Sequence, residues 1–471
     1  MKGMTLEAMT VACNGTYYGK EENKQREVLS ITTDSRKAGK DSLFIAIKGE
    51  RSDGHNYIMS CFEAGALCCI SEKELPDCEY SYILVKSSLQ ALKDLAELYR
   101  SNLNVKVVGI TGSVGKTSTK ETIAAVLSEK YKVLKTQGNF NNEIGLPLTV
   151  FRLTEEDEVA VLEMGISDFG EMTRLTKIAK PDICVITNIG LCHLENLKTR
   201  DGILTAKTEI FKSMAQNGTV ILNGDDDKLI SIHHVNGKEP VFFGVDYKEG
   251  IYADGIENLG LEGMHCTLHG VKAVDGIHSF DVKIPVPGYH MVYNAMAGAA
   301  VGVALGLTSD QIRHGIESLE TIAGRNHIIK ENGLLIIDDC YNANPVSMKA
   351  SIDVINTAIG RKVCILGDMF ELGEDEKQLH FDVGEYLGTK QIDVLLTAGK
   401  LAHELALGAQ DYVDTNYQSY ETQIHSYETR DELIAHLGEY IKTGDNILVK
   451  ASHGMEYPKV VEELQKLELK R

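Results

Sequence analysis

The sequence predicts an α/β protein of three domains, and three observations carry that reading. The chain has 471 residues, more than one hydrophobic core usually organises. Short apolar strands alternate with helical stretches in two separate blocks, which is the pattern of parallel sheets with crossover helices. A smaller segment precedes them and ends at the polar stretch SNLN. The expected boundaries are 1–103, 104–320 and 321–471.

From Val28 the first segment reads as the strands LSITTDSR, SLFIAIKG and SYILVKS, a helical stretch through Ala64 and the helix SLQALKDLAELYR. This is a small α/β domain. The central block carries the strands VKVVGIT, EVAVLEMG, DICVITNIG and GTVILNGDD. Past Gly224 the segments shorten and alternate as far as about Pro287, where antiparallel strands appended to the sheet are expected, and a Gly- and Ala-rich helix follows from Asn294 to Leu305. The strands LLIIDDCY, KVCILGD, DVLLTAG and NILVKAS then predict a Rossmann-like, doubly wound C-terminal unit.

Composition narrows the function classes. Lys and Arg number 48 against 68 Asp and Glu, a formal charge of -20, with no basic cluster to offset it. A nucleic-acid partner is excluded on that balance, because binding a phosphate backbone needs a basic face. Hydrophobic residues at 43% and charged residues at 25% suit a globular protein with substantial cores. No run is apolar and long enough to cross a bilayer and the N-terminus has no signal-peptide pattern, so no membrane insertion and a cytoplasmic location are expected, with a monomer as the default. The ten cysteines lack paired metal-type spacings and read as reduced, mostly buried thiols.

The strongest chemical signal is the loop from Thr111 through Gly112, Ser113, Val114, Gly115, Lys116 and Thr117 to Ser118, between the strand VKVVGIT and a helix that carries Ile123, Val126 and Leu127. Glycines let backbone amides turn inward round phosphate oxygens, the helix start adds partial positive charge, and Lys116 neutralises the β- and γ-phosphates. Thr117 is placed to put its hydroxyl on Mg²⁺. The general pattern wants glycine at position 110, where this chain has Ile110, which points to a subclass with a shortened loop. Glu163 and His193 both fall at the C-terminal ends of expected parallel strands, where α/β sheets place their sites. Taken alone, Glu163 reads as a buried or helix-capping residue, His193 as a structural histidine and Lys207 as a solvated helix lysine.

The segments GITGSVGKTSTKE, TQGNFNNEIGLPLT, LEMG, NIGLCHLENL, AKTEIF, LNGDD, PGYHMVYNAMA, AGRNHII, DDCYNANPVSM, LGDMFELG and LVKAS occur in this order. Together they resemble the Mur ligase family, whose members carry the shortened phosphate loop. The stretch TTDSRKAGKDSLFIAIKGERSDGHNY is similar to the UDP-binding domain of the member that adds D-alanyl-D-alanine to a UDP-linked muramoyl tripeptide. YNANP and TQGNFNNEIGLP resemble the same member, and the Asp-Asn-Pro-Arg signature of the ligase that adds the third peptide residue is missing.

The resemblance implies an ATP- and Mg²⁺-dependent ligase acting through an acyl phosphate. It implies that Lys116 and Thr117 hold the triphosphate and its metal, that Glu163 and His193 lie in the metal shells, and that Lys207 reacts with CO₂ to become a carbamate ligand. Asn294, Arg325 and Asp339 are implied to contact the nucleotide, and Ser35, Arg36 and Lys48 the uridine diphosphate. Asn142, Tyr341, Asn344, Lys450 and Ser452 are further candidates for substrate contact. After Ser452 this chain has His453 where relatives often have arginine. Two alternatives stay open: a ligase of the same type that adds another amino acid, including a folylpolyglutamate-type enzyme, and a nucleotide-binding relative without catalysis.

Overall fold

Parallel strands buried on both faces organise most of the chain, as the near-continuous apolar runs require. The structure is a computed structural model and describes residues 1–50, 52–416 and 422–469. The chain divides into two compact units. One comprises Met1–Thr111, Lys130–Val185 and Ala206–Val220, and the other Gly112–Glu129, Ile186–Thr205 and Ile221–Arg471.

In the first unit the N-terminal segment folds as a five-stranded sheet, in the spatial order Thr16–Tyr18, Ser81–Leu84, Cys68–Ser71, Ser42–Ile45 and Ser30–Thr32. Only the Thr16–Tyr18 edge is antiparallel. Two of its strands went unread in the sequence. Cys68–Ser71 is too short to show a period, and Thr16–Tyr18 is an exposed edge. Phe44, Ile58, Cys61, Phe62 and Cys69 form a core on one side. The helix Ser88–Ser101 starts on Ser87, whose hydroxyl accepts from Gln90 N, and buries Ala91, Leu92, Leu95, Ala96 and Tyr99 at helical spacing. At its end the buried Arg100 guanidinium donates to the carbonyls of Ala179, Leu103 and Val105 at 3.1, 3.2 and 2.9 Å, so its charge is satisfied without a solvent shell.

The same unit holds the parallel strands Lys106–Thr111, Val159–Glu163 and Val133–Lys135, paired in that order. Lys106–Thr111 delivers the chain to the phosphate loop. Val159–Glu163 is buried at every position, so Glu163 emerges at a carboxyl end that water barely reaches.

In the second unit the region past Gly224 opens differently from the expectation. Val241–Gly244 pairs parallel with Thr219–Asn223, through Ile221↔Val241, and Ile251–Asn258 pairs parallel with Val241–Gly244. The stretch from Asn223 to Val241, with a turn at Leu229–Ser231, is long enough for the crossover that parallel pairing needs. Antiparallel pairing begins only at Ile251–Asn258 with Met264–Ala273 and continues to Gly276–Ile284. The apolar helix runs His290–Ala304 and starts before Asn294. No side chain caps it, so no capping residue marked its start in the sequence. The nearby helix Ser309–Glu317 lies close to the helix of the phosphate loop, and a Cβ at Gly315 would stand 2.5 Å from Val126 Cα.

The C-terminal region is a six-stranded sheet in the order His327–Glu331, Leu334–Asp338, Asn446–Lys450, Lys362–Gly367, Val394–Ala398 and Gln423–Tyr427, parallel except at the first pair. Apolar clusters cover both faces, one around Ile336, Ile365 and Val449 and the other around Ile337, Cys364 and Leu448. Asp338 pairs with Val449, which brings the ends of two neighbouring parallel strands, and with them Asp339 and Lys450, to the same sheet edge. All ten cysteines are free and eight of them are buried. Among the described residues no helix is long and apolar enough to cross a membrane.

Candidate active site

The phosphate loop is held in shape before any ligand arrives. Gly112 sits at φ +151, and a Cβ there would overlap the Thr187 hydroxyl. Ser113 N donates to Asn188 O at 3.0 Å, and Val114 N donates to Asn188 Oδ1 at 2.9 Å. Thr187 Oγ1 and Asn188 Nδ2 donate to Val114 O at 2.7 and 3.0 Å. Ser113 Oγ exchanges hydrogen bonds with the Gly190 backbone. Gly115 then turns the chain at φ +83 into the helix Lys116–Ser128, whose start no side chain caps. Uncapped amides and the helix dipole together favour an anion there. Lys116 Nζ lies against the loop, donating to Gly112 O at 2.9 Å.

A cavity of about 260 Å³ opens beside this loop, lined by Gly115, Ser118, Asn294, Arg325, Asp339 and Lys450 among others. Several expected nucleotide residues therefore share one space. Asn294 is buried and accepts from Thr119 Oγ1 at 2.8 Å. Arg325 donates to Thr117 Oγ1 at 3.2 Å, and its guanidinium carbon lies 4.0 Å from the centroid of the Tyr341 ring. On the same tyrosine, the His453 ring centroid stands 5.7 Å away. Buried Asp339 accepts from Ser351 Oγ and Lys450 Nζ, both at 2.6 Å, and from Asn326 N at 3.2 Å. Two buried polar atoms of residues lining the cavity, Arg325 Nε and Asn326 Oδ1, have no hydrogen-bond partner among the described residues. Such atoms are costly unless a ligand satisfies them, and an unsatisfied donor beside an unsatisfied acceptor fits a polar molecule such as a nucleotide.

Burial keeps the His290 imidazole in this wall neutral, with its pKa below the ordinary histidine value. Burial alone would raise the Asp225 carboxyl. The amides of Val245, Tyr247 and Asp246 and the Tyr293 hydroxyl all donate to it and hold it below the usual range.

His193, in the left-handed conformation, and Lys198, also at positive φ, bracket the short helix Leu194–Leu197. His193 Nδ1 lies 2.8 Å from Glu371 Oε2, and this partner holds the Glu371 carboxyl below its usual range. In the first unit, Glu163 Oε1 accepts from Asn141 Nδ2 at 2.9 Å, and Glu163 N donates to Thr136 Oγ1 at 3.0 Å. Lys207 lies in the helix Arg200–Thr208 and is 1% exposed, so it is a buried residue and not a solvated one. Thr111 is fully buried at the end of its strand.

The other expected contacts are distributed. Asn142 Oδ1 accepts from the amides of Ile144 and Gly145 and starts the helix Gly145–Val150. Asn344 caps Pro345–Asn356 in a capping box with Ser347. Ser452 Oγ accepts from Phe370 N at 2.9 Å. In the N-terminal sheet domain Arg36 is exposed and forks onto Asp34, holding that carboxyl at about 2, while Ser35 is half-buried and Lys48 exposed. Sequence reasoning missed Asn141, Asn188, Asn326 and Glu371. The first three stand beside quoted motif residues in NFNNE, TNIG and AGRN, and Glu371 lies in LGDMFELG, where no period or spacing singled it out.

Three protein-family models match the chain in order. They are described as Mur ligase family, catalytic domain, over 27–100; Mur ligase middle domain, over 110–302; and Mur ligase, glutamate ligase domain, over 324–453. The UDP-N-acetylmuramoyl-tripeptide–D-alanyl-D-alanine ligase of Bacillus subtilis (strain 168) is 38% identical over 449 residues, covering 94% of each chain. A crystal structure of MurF from Acinetobacter baumannii superposes with a TM-score of 0.88 at 32% identity, over 98% of this chain and 99% of that one. The MurF ligase of Thermotoga maritima in complex with ADP gives a TM-score of 0.79 at 31% identity, over 93% of this chain and 97% of that one. With a loop built for phosphate, a cavity beside it and likeness along nearly the whole chain, the protein belongs to the Mur ligase family and has its three-domain architecture.

Proposed function

We propose that the protein is an ATP-dependent, ADP-forming ligase that joins the terminal carboxylate of a UDP-N-acetylmuramoyl tripeptide to D-alanyl-D-alanine in peptidoglycan precursor synthesis. The observation that carries this is the cavity that runs from the phosphate loop to Arg325 and Asp339, with its unsatisfied Arg325 Nε and Asn326 Oδ1, in a chain whose relatives bear that ligase's name. Amide formation in water needs an activated carboxylate. Transfer of the γ-phosphoryl group from ATP makes an acyl phosphate, and the amine of the dipeptide displaces phosphate from it.

Little covalent chemistry falls to the protein, so positioning and charge supply the rate. Lys116 and the uncapped helix start neutralise the triphosphate, and Arg325 sits at the same end against Thr117. Mg²⁺, when bound, offsets the repulsion between phosphate and carboxylate. Among the described residues no three His, Cys, Asp or Glu side chains form a metal cage. That suits an ion that takes many of its oxygens from substrate and water, as Mg²⁺ does. Thr117, Glu163 and His193 are the residues proposed to approach it, with Lys207 as a carbamate. The buried state of Lys207 supports that choice over a surface role. Ser35, Arg36 and Lys48 are proposed to face the uridine diphosphate. The boundaries 1–103, 104–320 and 321–471 are proposed for the three domains, and the protein is proposed to act as a cytoplasmic monomer.

A phosphate-release assay tests the reading. UDP-linked muramoyl peptides of different length are paired with single amino acids or dipeptides. Release is expected only with the tripeptide and D-alanyl-D-alanine together, and is abolished by Lys116→Ala. Turnover with a shorter peptide and a single amino acid would reassign the substrates.

A further inference from the structure

His193 and Glu371 are both non-glycine residues in the left-handed region, at φ +49 and +62, and their side chains meet at 2.8 Å. Such positions persist only where the surroundings over-determine them. Here they do. The His193 carbonyl accepts from the amides of Asn196 and Leu197 at 3.2 and 2.9 Å, which fixes its backbone. The Glu371 loop is fastened just upstream. Met369 N donates to His380 Nε2 at 2.8 Å and Phe370 N to Ser452 Oγ at 2.9 Å, while Asp368 Oδ1 accepts from Leu401 N and Ala402 N at 3.1 and 2.7 Å. Just downstream, a Cβ at Gly373 would stand 3.9 Å from Leu194 Cβ, so the loop also rests on the residue after His193.

Stability does not explain this arrangement. The Glu371 side chain is 60% exposed, and a polar contact so open to solvent contributes little to stability. Orientation does explain it. We infer that Glu371 is a positioning residue for His193: its carboxylate accepts a hydrogen bond from Nδ1–H, leaves the lone pair on Nε2, and so orients the imidazole for a divalent cation. The tautomer of a ligating histidine is set by the hydrogen bond its other nitrogen makes, and a carboxylate in that place raises its basicity. The consequence is that a C-terminal loop, anchored through Ser452 and His380, prepares a side chain of the central region. Ser452 holds this loop by accepting from Phe370 N.

This rests on the reading of His193 as a metal-shell residue, and the test separates the two. Mn²⁺ is titrated by electron paramagnetic resonance into the full chain with a non-hydrolysable ATP analogue, without turnover. Glu371→Gly keeps a residue suited to the left-handed backbone and removes only the carboxylate. It is expected to weaken Mn²⁺ binding about tenfold, with the melting temperature held. Glu371→Gln, whose amide oxygen still accepts from Nδ1, is expected to fall between Glu371→Gly and the natural chain. In a His193→Ala background Glu371→Gly is expected to add nothing further. Natural Mn²⁺ affinity in Glu371→Gly overturns the inference alone, whereas natural affinity in His193→Ala overturns the metal role beneath it.

Discussion

Arg325 donates a hydrogen bond of 3.2 Å to the hydroxyl of Thr117, joining the segment that opens the C-terminal region to the first turn of the phosphate-loop helix. The centroid of the Tyr341 ring lies 4.0 Å from the carbon of the same guanidinium. A planar cation held by both a ring and a hydroxyl is pre-set for a phosphate oxygen. Arg325→Ala is therefore expected to raise the KM for ATP by roughly tenfold or more, the worth of a hydrogen bond to a charged group. Arg325→Lys is expected to recover little of it, because an ammonium neither forks nor stacks in the same way. A lysine variant with natural KM would show that charge alone suffices.

Lys450 and Asp339 form a buried pair at 2.6 Å, with side chains 2% and 9% exposed. Lys450 Nζ also reaches the Asn342 carbonyl at 3.1 Å. Removing one member leaves the other charge buried and uncompensated. Lys450→Met is expected to destabilise the protein by about 3 to 5 kcal/mol. The double variant Lys450→Met with Asp339→Leu is expected to lose much less. Urea unfolding measures both, and equal losses would mean that the pair is not the source of the cost.

His380 sets a pH dependence. It is fully buried, its Nδ1 faces Glu376 O at 2.6 Å and its Nε2 accepts from Met369 N at 2.8 Å, so the neutral ring is the form the fold uses. Burial lowers its pKa below the ordinary value of 6.5, against the opposing pull of the Glu376 carbonyl and of the carboxylates Asp368, Glu376 and Glu404. The unfolded chain then binds the proton more readily than the folded one. The contribution to stability is complete above pH 6.5 and is lost as pH falls below it towards the folded pKa. His290 is shifted in the same direction by burial and adds to the effect. His380→Gln is expected to lower stability at neutral pH and to flatten the fall on acidification. Denaturation midpoints with the same acid slope in both proteins would rule this out.

Much of this was legible in the sequence, for a physical reason. Buried parallel strands such as Val159–Glu163 are apolar up to their last residue, and Gly112, Gly115 and Lys116 sit close together along the chain. Local signals of that kind survive without coordinates. The parallel entry of Val241–Gly244 did not, since a four-residue strand shows no direction until its crossover is traced. Neither did Glu371, which is an ordinary surface glutamate in the sequence and acquires a role only when the fold sets it against His193. Lys207 is intermediate: its helical pattern suggested a solvated residue, and only the family resemblance pointed elsewhere.

Lys207 is 1% exposed on the helix Arg200–Thr208, among the largest side chains the protein buries fully. Burying a lysine costs unless a partner or its chemistry offsets the loss of hydration. An ammonium among the ligands of a divalent cation would repel it, whereas a carbamate reverses the sign and offers the oxygens that Mg²⁺ prefers. Lys207→Ala is therefore expected to lose most ligase activity, and formate or acetate is expected to restore part of it by supplying a carboxylate in the vacated space. Labelled bicarbonate gives a second readout: a carbamate carbonyl resonance present in the natural protein and absent from Lys207→Ala. Full activity of Lys207→Ala without additive, or a natural protein with no such resonance, would remove the carbamate from the mechanism.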